Sequence, residues 1–217
     1  CTGLGAAAPF GFGPGRLRSG AREEDVNAST RLFVAVRLGD EVNAAIVPVA
    51  EGLRGKAGRF GMRCSWASVE GWHLTLKFLG QTEPERVEPL AAAIEAAAAG
   101  LGPCELEARG IGFMPGHGRP RIIHAQADGS GLARLASEVE AAAVACGFEP
   151  ERRNFHGHMT IARVRRPGRW REFKEELGPT RTMHFGTSRI SELAIYESRL
   201  GRGPARYDRI RAFELAG

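Results

Sequence analysis

The chain contains the stretch WHLTLKFLG at residues 72–80 and a second stretch, HMTIARV, at residues 158–164. Both are apolar and favour β-strands, and each has a histidine followed two positions later by a threonine. Because side chains alternate along a strand, His73 and Thr75 share one face, as do His158 and Thr160. Each stretch therefore predicts a strand that presents an imidazole beside a hydroxyl, with apolar neighbours buried behind.

The doubled pattern predicts a site with one histidine for each end of a proton-transfer reaction. An imidazole pKa of about 6.5 lets the acid and base forms coexist near neutral pH. The hydroxyls of Thr75 and Thr160 suit the non-bridging oxygens of a phosphodiester held between the two pairs. No thiol or nucleophile motif accompanies the histidines, which favours acid–base over covalent catalysis. Metal binding is the first alternative, but zinc needs at least three ligands and threonine is a poor one, so we predict no metal and no cofactor.

Strands and helices alternate along the chain. The pattern predicts the order strand-helix-strand-helix-strand-strand-helix-strand-helix-strand-strand, with the short connections of antiparallel pairing. This is an α+β pattern with a weak internal repeat, each half supplying one histidine strand. Besides the two histidine strands, predicted strands cover 32–38, 104–113, 121–127, 188–197 and 206–215. Predicted helices follow Asp40 with a kink at Pro48, open at a capping box at Thr82, and cover 130–146 and 170–177, while 55–61 is a predicted loop.

The composition is typical of a soluble globular protein, with 43% hydrophobic and 25% charged residues. The net charge of +5 suits an anionic partner such as RNA, or an ordinary solvated surface. The four cysteines lack metal-binding spacing, so we expect reduced thiols in a cytoplasmic protein. No apolar run approaches the ~20 residues of a membrane span. Residues 1–29 are rich in Gly, Pro and Ala without the features of a signal peptide, and we expect a disordered or mis-annotated extension.

The sequence resembles the 2H phosphoesterase superfamily, which is defined by two His-x-Ser/Thr motifs. Within it, the chain is most similar to the RNA 2′,3′-cyclic phosphodiesterases, also called 2′-5′ RNA ligases. The matching stretches occur in family order and cover nearly everything after residue 30. They are RLFVAVRL (31–38), WHLTLKFLG (72–80), GIGFMP with GRPRII (110–123), FHGHMTIARV (155–164) and LAIYES (193–198).

The resemblance implies a bilobal, duplicated α+β fold over residues 30–217, in which two antiparallel β-sheets flank a central groove and the helices lie outside. It implies hydrolysis of a 2′,3′-cyclic phosphate to a 2′-phosphate, with 2′-5′ ligation as the related reaction. His73 and His158 carry over as the catalytic pair, and Thr75 and Thr160 as phosphate-binding hydroxyls. Arg163 matches a phosphate-contacting arginine of the family. Strand alternation puts Arg163 on the opposite face from His158, so a bulge or a strand end must redirect it.

Two other functions stay open. One is a 2H phosphodiesterase acting on a small cyclic nucleotide, and the other is a catalytically silent module that binds RNA ends. The expected partner is RNA with 2′,3′-cyclic phosphate ends, tRNA fragments being one candidate source, and we expect a monomer that does not engage membranes.

Several further residues near the motifs have two interpretations. Lys77 could reach phosphate or extend to water. Arg165 and Arg166 could line an RNA groove, although a solvated basic edge is the more usual case. The remaining histidines are interpreted as structural or surface residues. Aromatic side chains near the motifs could stack a base, but we favour core packing for each: Trp66, Trp72, Phe78 and Phe155.

Overall fold

The structure is a computed structural model and describes residues 29–199 and 205–217. These residues form nine strands and four α-helices, with short 3₁₀ turns between some of them. In chain order the elements are β1 (Thr30–Val36), α1 (Asp40–Ala57), β2 (Arg63–Trp66), β3 (Leu74–Thr82), α2 (Val87–Ala99), β4 (Cys104–Met114), β5 (Ile122–Asp128), α3 (Leu132–Ala145), β6 (His158–Arg166), α4 (Trp170–Glu175), β7 (His184–Ile190), β8 (Glu192–Arg199) and β9 (Arg206–Glu214).

The strands form two antiparallel halves that meet at one point. One half has the order β7-β4-β5-β6, with β2 also paired to β6, and the other has the order β3-β1-β8-β9. A single bridge between Leu74 of β3 and Met159 of β6 joins the halves into one curled nine-stranded sheet. The predicted α+β class with two antiparallel sheets is thereby confirmed, and the sheets are continuous at the two motifs.

One hydrophobic core runs through both halves of the sheet. Helix α1 packs against β7, α3 packs against β3, and α2 packs against α3 and β9. The core-facing side of β1 supplies Leu32, Val34 and Val36, which are at most 2% exposed. Its other face supplies Phe33 and Ala35 to a separate small cluster with Ala194 and Tyr196. The helices therefore cover one face of β1, and this aromatic cluster covers the other.

Helix α1 and strand β2 differ from the sequence-based expectation. Helix α1 continues past Pro48 to Ala57, although residues 55–61 were expected to be a loop. Burial of Leu53 and Ala57, at 4% and 3% exposure, offsets the weak helix propensity of the glycines in these turns. Strand β2 was not predicted, because its four residues alternate in burial over too short a run to indicate a strand without the pairing with β6.

The expected strand 188–197 is two strands with different partners. Strand β7 pairs with β4, and β8 pairs with β1, so the chain passes from one half to the other around Ser191. One β-prone run cannot reveal such a change of neighbour. The two terminal strands β8 and β9 pair with each other in antiparallel register. Residues 200–204, which lie between these two strands, are outside the described residues, as are residues 1–28 of the expected N-terminal extension.

The predicted capping box at Thr82 is wrong. Thr82 is the last residue of β3, fully buried, and its hydroxyl donates to the Gly80 carbonyl at 3.3 Å. A 3₁₀ turn over Pro84–Arg86 separates it from α2. Pro89 lies in the first turn of α2, where its missing N–H removes no intrahelical bond.

No helix among the described residues combines the length and the apolar character that crossing a bilayer would require.

Candidate active site

A groove of about 930 Å³ opens at the junction of the two halves. All five side chains that the sequence predicted for the site line it: His73, Thr75, His158, Thr160 and Arg163. They come from segments that are distant in sequence and meet only because β3 and β6 are adjacent. The groove is therefore the candidate active site.

The bridge between the halves sets the spacing of the two motifs. Leu74 pairs with Met159 in antiparallel register, and neither side chain is exposed. Continuing this register by one residue in each direction brings His73 opposite Thr160 and Thr75 opposite His158. The two motifs thus run head to tail across the junction, and each imidazole has the other motif's hydroxyl beside it.

His73 lies one residue before β3, in an aromatic pocket. Its ring centroid is 4.7 Å from that of Phe33 and 4.8 Å from that of Tyr207, which meets it edge-on. Its Nδ1–H donates to the Gly71 carbonyl at 2.8 Å, which leaves Nε2 available to the groove as a proton acceptor. The pocket and this hydrogen bond fix both the orientation and the tautomer of the ring.

Burial lowers the pKa of His73 to about 4. The hydrogen bond to Gly71 opposes this shift, whereas the positive charges of Arg163 and Arg37 reinforce it, and His158 acts in the same direction. The imidazole of His73 is therefore neutral at pH 7 when the groove holds no anion. A bound phosphate would offset the two guanidinium charges and raise the pKa of His73 again.

His158 repeats the local arrangement of His73. It is the first residue of β6, and its Nδ1–H donates to the carbonyl of His156 at 2.9 Å. In both motifs the acceptor is thus the carbonyl two residues before the histidine. This repetition leaves both Nε2 atoms as the free nitrogens of the pair.

A β-bulge brings Arg163 into the groove, as the sequence-based argument required. Strand β5 pairs Ile123 with Ala162 and His124 with Thr160, so Ile161 is an extra residue in β6. Ile161 and Ala162 are both fully buried, which breaks the alternation between Thr160 and Arg163. The exposed Arg163 side chain therefore lines the same groove as His158 and Thr160.

Further cationic residues extend the groove beyond its centre. Arg54 and Arg165 line it on the β2 side, where Arg165 donates to the Ser65 hydroxyl at 3.0 Å. Arg153 lines it in the segment before β6 and is paired with Glu151 at 2.9 Å. Arg166 instead donates to the Gly61 carbonyl at 3.2 Å and is not among the groove residues.

Lys77 does not extend to water. Its side chain is 3% exposed, and its Nζ lies 2.9 Å from the Glu140 carboxylate and 2.6 Å from the Glu149 carbonyl. The same carboxylate accepts the Glu151 N–H at 2.8 Å. Lys77 and Glu140 together therefore attach β3 and α3 to the segment that leads into the second motif.

Among the aromatic residues near the motifs, the core-packing expectation is wrong for Phe78. Phe78 is 62% exposed and lines the groove, because two bulges in the pairing of β1 with β3 interrupt the alternation that would have buried it. Trp72 is 2% exposed and packs in the core as expected. Trp66 and Phe155 are partly buried against the core while also lining the groove.

His124 is a residue near the site whose position the sequence did not reveal. Its ring centroid lies 5.7 Å from that of His158, edge-on, on the neighbouring strand β5. Burial, followed by the charge of His158, lowers the pKa of His124 to about 4. A signal was present: His124 and Gln126 alternate along β5 with the buried residues Ile123, Ala125 and Ala127, so both face away from the core.

Across residues 29–199 and 205–217, His, Cys, Asp and Glu side chains form no cluster of three or more with metal-binding geometry.

A family model described as LigT like Phosphoesterase matches residues 36–124 and 126–207. The chain belongs to this family. The match includes both histidine motifs and Arg163, and the expected 2H phosphoesterase relationship is confirmed.

Several curated relatives of this chain are named RNA 2′,3′-cyclic phosphodiesterase. The relative from Aeropyrum pernix is 30% identical over 70% of this chain and 87% of its own length. The relative from Archaeoglobus fulgidus is 27% identical over 85% of this chain and 99% of its own length. A third, from Geobacillus stearothermophilus, is 30% identical over 85% of this chain. That protein is longer, and the match covers 57% of its length.

Solved structures with the same fold include a protein from Thermus thermophilus, with a TM-score of 0.72 and 28% identity over 86% of this chain and 98% of that one. Escherichia coli LigT complexed with 3′-AMP has a TM-score of 0.65 at 22% identity, over 87% of this chain and 99% of that one. This second likeness supports the bilobal LigT-like fold alone.

Proposed function

We propose that this phosphoesterase hydrolyses the 2′,3′-cyclic phosphate at the end of an RNA to a 2′-phosphate without a metal ion. The observation that supports this most is the meeting of two His-x-Thr motifs, from separate halves of the sheet, in one groove. The curated relatives named RNA 2′,3′-cyclic phosphodiesterase support the same reaction.

The paired imidazoles of His73 and His158 supply the proton transfers. The oxygen of a water molecule attacks phosphorus and loses a proton to one imidazole. The bond from phosphorus to the 3′ oxygen breaks, and the other imidazole gives that oxygen a proton. Each transfer contributes on the order of 10² to 10⁴ in rate, and the strain of the five-membered ring lowers the remaining barrier.

The groups around the histidines suit an anionic phosphate. The hydroxyls of Thr75 and Thr160 are neutral donors for its non-bridging oxygens, and Arg163 adds a guanidinium that can bind two oxygens at once. The positive charges of Arg163 and Arg37, which add to the effect of burial on the pKa of His73, would be offset by a phosphate anion bound beside them.

An RNA end suits the groove better than a small cyclic nucleotide does. Cationic side chains continue beyond the central histidines on both sides, at Arg54, Arg153 and Arg165. Phe78 adds an exposed aromatic face on which a base could stack. A mononucleotide would leave these residues unused.

We also expect the protein to act as a cytoplasmic monomer on RNA such as tRNA fragments, and to join such ends to a 5′-hydroxyl by 2′-5′ ligation.

The test is hydrolysis of an oligoribonucleotide that ends in a 2′,3′-cyclic phosphate, in buffer that contains EDTA. The wild-type protein should yield only the 2′-phosphate. His73→Ala and His158→Ala should each lose at least about 100-fold in kcat while still binding the oligonucleotide. His117→Ala is the matched control, since His117 is an exposed histidine outside the groove, and it should keep full activity.

Three results separate the alternatives. Turnover of mononucleotides that equals or exceeds that of oligonucleotides would support the small cyclic nucleotide substrate. Tight binding of the RNA end without any product would support the silent binding module. Substantial activity retained in either motif variant would exclude paired histidine catalysis.

A further inference from the structure

A side chamber of about 360 Å³ adjoins the groove at the second motif. It shares His158, His156 and Phe155 with the groove and then continues over β5, where Gln126 and Asp128 line it. These two side chains are exposed, so the chamber has polar groups available to a ligand. Its volume falls in the range of small-molecule sites.

The chamber lies on the far side of His158 from His73. In the sheet, β6 lies between β3 and β5. Gln126 is the β5 partner of His158, and His124 is the partner of Thr160. Adjacent strands are about 4.8 Å apart. Gln126 and His124 therefore lie one strand farther from β3 than the His158 and Thr160 side chains beside them. A phosphorus held between the two histidines would therefore have the chamber beyond its His158 side.

The charge of the chamber differs from that of the groove. Four arginines line the groove: Arg54, Arg153, Arg163 and Arg165. The residues that line the chamber include no Lys or Arg and do include the carboxylate of Asp128. A phosphate group would thus be repelled from the chamber, whereas an uncharged group with hydrogen-bond donors would be favoured.

We propose that the chamber binds a nucleoside with a free 5′-hydroxyl. The oxygen of this hydroxyl forms or breaks its bond to phosphorus on the side of His158. This inference rests on the proposed function. The Gln126 amide and the Asp128 carboxylate offer acceptors to a base edge or a ribose, and Phe155 and His124 offer flat ring surfaces. His124 suits a neutral ligand, because burial holds its pKa near 4 and its ring carries no charge at pH 7.

The reaction that uses this site balances in both directions. In ligation, the 5′ oxygen of the bound nucleoside forms a bond to phosphorus and gives its proton to His158. The bond from phosphorus to the 3′ oxygen breaks, and His73 protonates that oxygen, leaving a 2′-5′ linkage. In the reverse cleavage, neutral His73 takes the proton of the 3′-hydroxyl as its oxygen attacks phosphorus, and the released 5′ oxygen receives a proton from His158.

The test compares two reactions of the same enzyme. One is cleavage of a 2′-5′-linked diadenosine monophosphate to 2′,3′-cyclic AMP and adenosine, which needs the chamber. The other is hydrolysis of 2′,3′-cyclic AMP, in which water replaces the nucleoside. Gln126→Trp should fill the chamber and lower the ratio of cleavage to hydrolysis, in kcat/KM, by about tenfold or more. Asp128→Ala should lower the same ratio, and added adenosine should inhibit cleavage by wild type more strongly than by Gln126→Trp.

Gln81→Trp is the matched control, because Gln81 is an exposed strand glutamine outside both the groove and the chamber, and the ratio should not change there. If Gln126→Trp fails to fold, as judged by circular dichroism, the ratio of cleavage to hydrolysis is measured with Asp128→Ala instead. A wild-type enzyme that hydrolyses the cyclic phosphate but does not cleave the dinucleotide would overturn this inference, as would an unchanged ratio in the chamber variants. A wild-type enzyme inactive in both reactions would instead overturn the proposed function.

Discussion

At the scale of single residues, the two histidines are alike in hydrogen bonding but not in surroundings. Each donates from Nδ1 to the carbonyl two residues earlier. His73 is enclosed by aromatic rings, while His158 adjoins the open chamber and the ring of His124. The repeated motif therefore sets the tautomer in both halves, and the neighbouring strands make the two environments different.

Phe78 provides a residue-scale prediction about substrate binding. Phe78→Ala should raise KM for the oligonucleotide by roughly 5- to 150-fold, because base–aromatic stacking contributes about 1–3 kcal/mol per base. The exposed ring contributes little to the core, so the free energy of unfolding should stay within about 0.5 kcal/mol of wild type. Phe78→Tyr should keep KM near wild type. Ile210→Ala is the control, an exposed apolar residue outside the groove, and a KM unaffected by Phe78→Ala would exclude the stacking role.

The lowered pKa values of His73 and His124 predict how stability depends on pH. Both pKa values are about 4 in the folded protein and near 6.5 in the unfolded chain. Between these values the unfolded chain binds more protons, so the free energy of unfolding should fall as pH drops from 6.5 toward 4. Urea unfolding at pH 7.5, 6 and 5 measures this decline. His124→Leu removes one of the two groups and should make the decline shallower, and equal stability at all three pH values would contradict the assignment.

At the scale of elements, the segment between α3 and β6 connects the two motifs. Lys77 on β3 and Glu140 on α3 each bind a backbone group of residues 149–151. That segment then continues to His156, whose carbonyl accepts from His158. The ion pair therefore links the strand of the first motif to the chain that orients the second.

Lys77→Met should destabilise the protein by about 1.5–3 kcal/mol, because it removes the charged hydrogen bonds of the Lys77 ammonium to the Glu140 carboxylate and the Glu149 carbonyl. The double variant Lys77→Met/Glu140→Leu should recover part of this loss, since no unpaired charge remains. Urea unfolding of the single and double variants measures both effects. The exposed pair of Lys56 and Glu176 is the control, and Lys56→Met should cost no more than about 1 kcal/mol. An equally small loss in Lys77→Met would contradict the structural role of the pair of Lys77 and Glu140.

At the scale of the whole molecule, the two halves share their core. Helix α1 follows a strand of one half and packs on β7 of the other, and α3 does the reverse by packing on β3. The bridge residues Leu74 and Met159 are fully buried in this common core. We therefore expect residues 30–217 to behave as one bilobal domain rather than as two independent lobes.

This arrangement predicts a single cooperative unfolding transition. Tryptophan fluorescence and far-ultraviolet circular dichroism should give the same midpoint in urea. Met159→Ala removes a side chain where the halves meet and should cost about 2–5 kcal/mol without splitting the transition. Two resolved transitions in the wild-type protein would show that the halves are separate folding units.

The sequence alone determined the two histidine–threonine pairs of the candidate site and the α+β class of the fold. A period of two placed each threonine on the face of its histidine, and the alternation of apolar residues identified both motif strands, because these effects depend only on nearby residues. Tertiary structure decided the rest. The bulge that redirects Arg163, the exposure of Phe78, the position of His124 and the division of the 188–197 run depend on which strands become neighbours. Those pairings bring together residues far apart in the chain, and no local pattern carries that information.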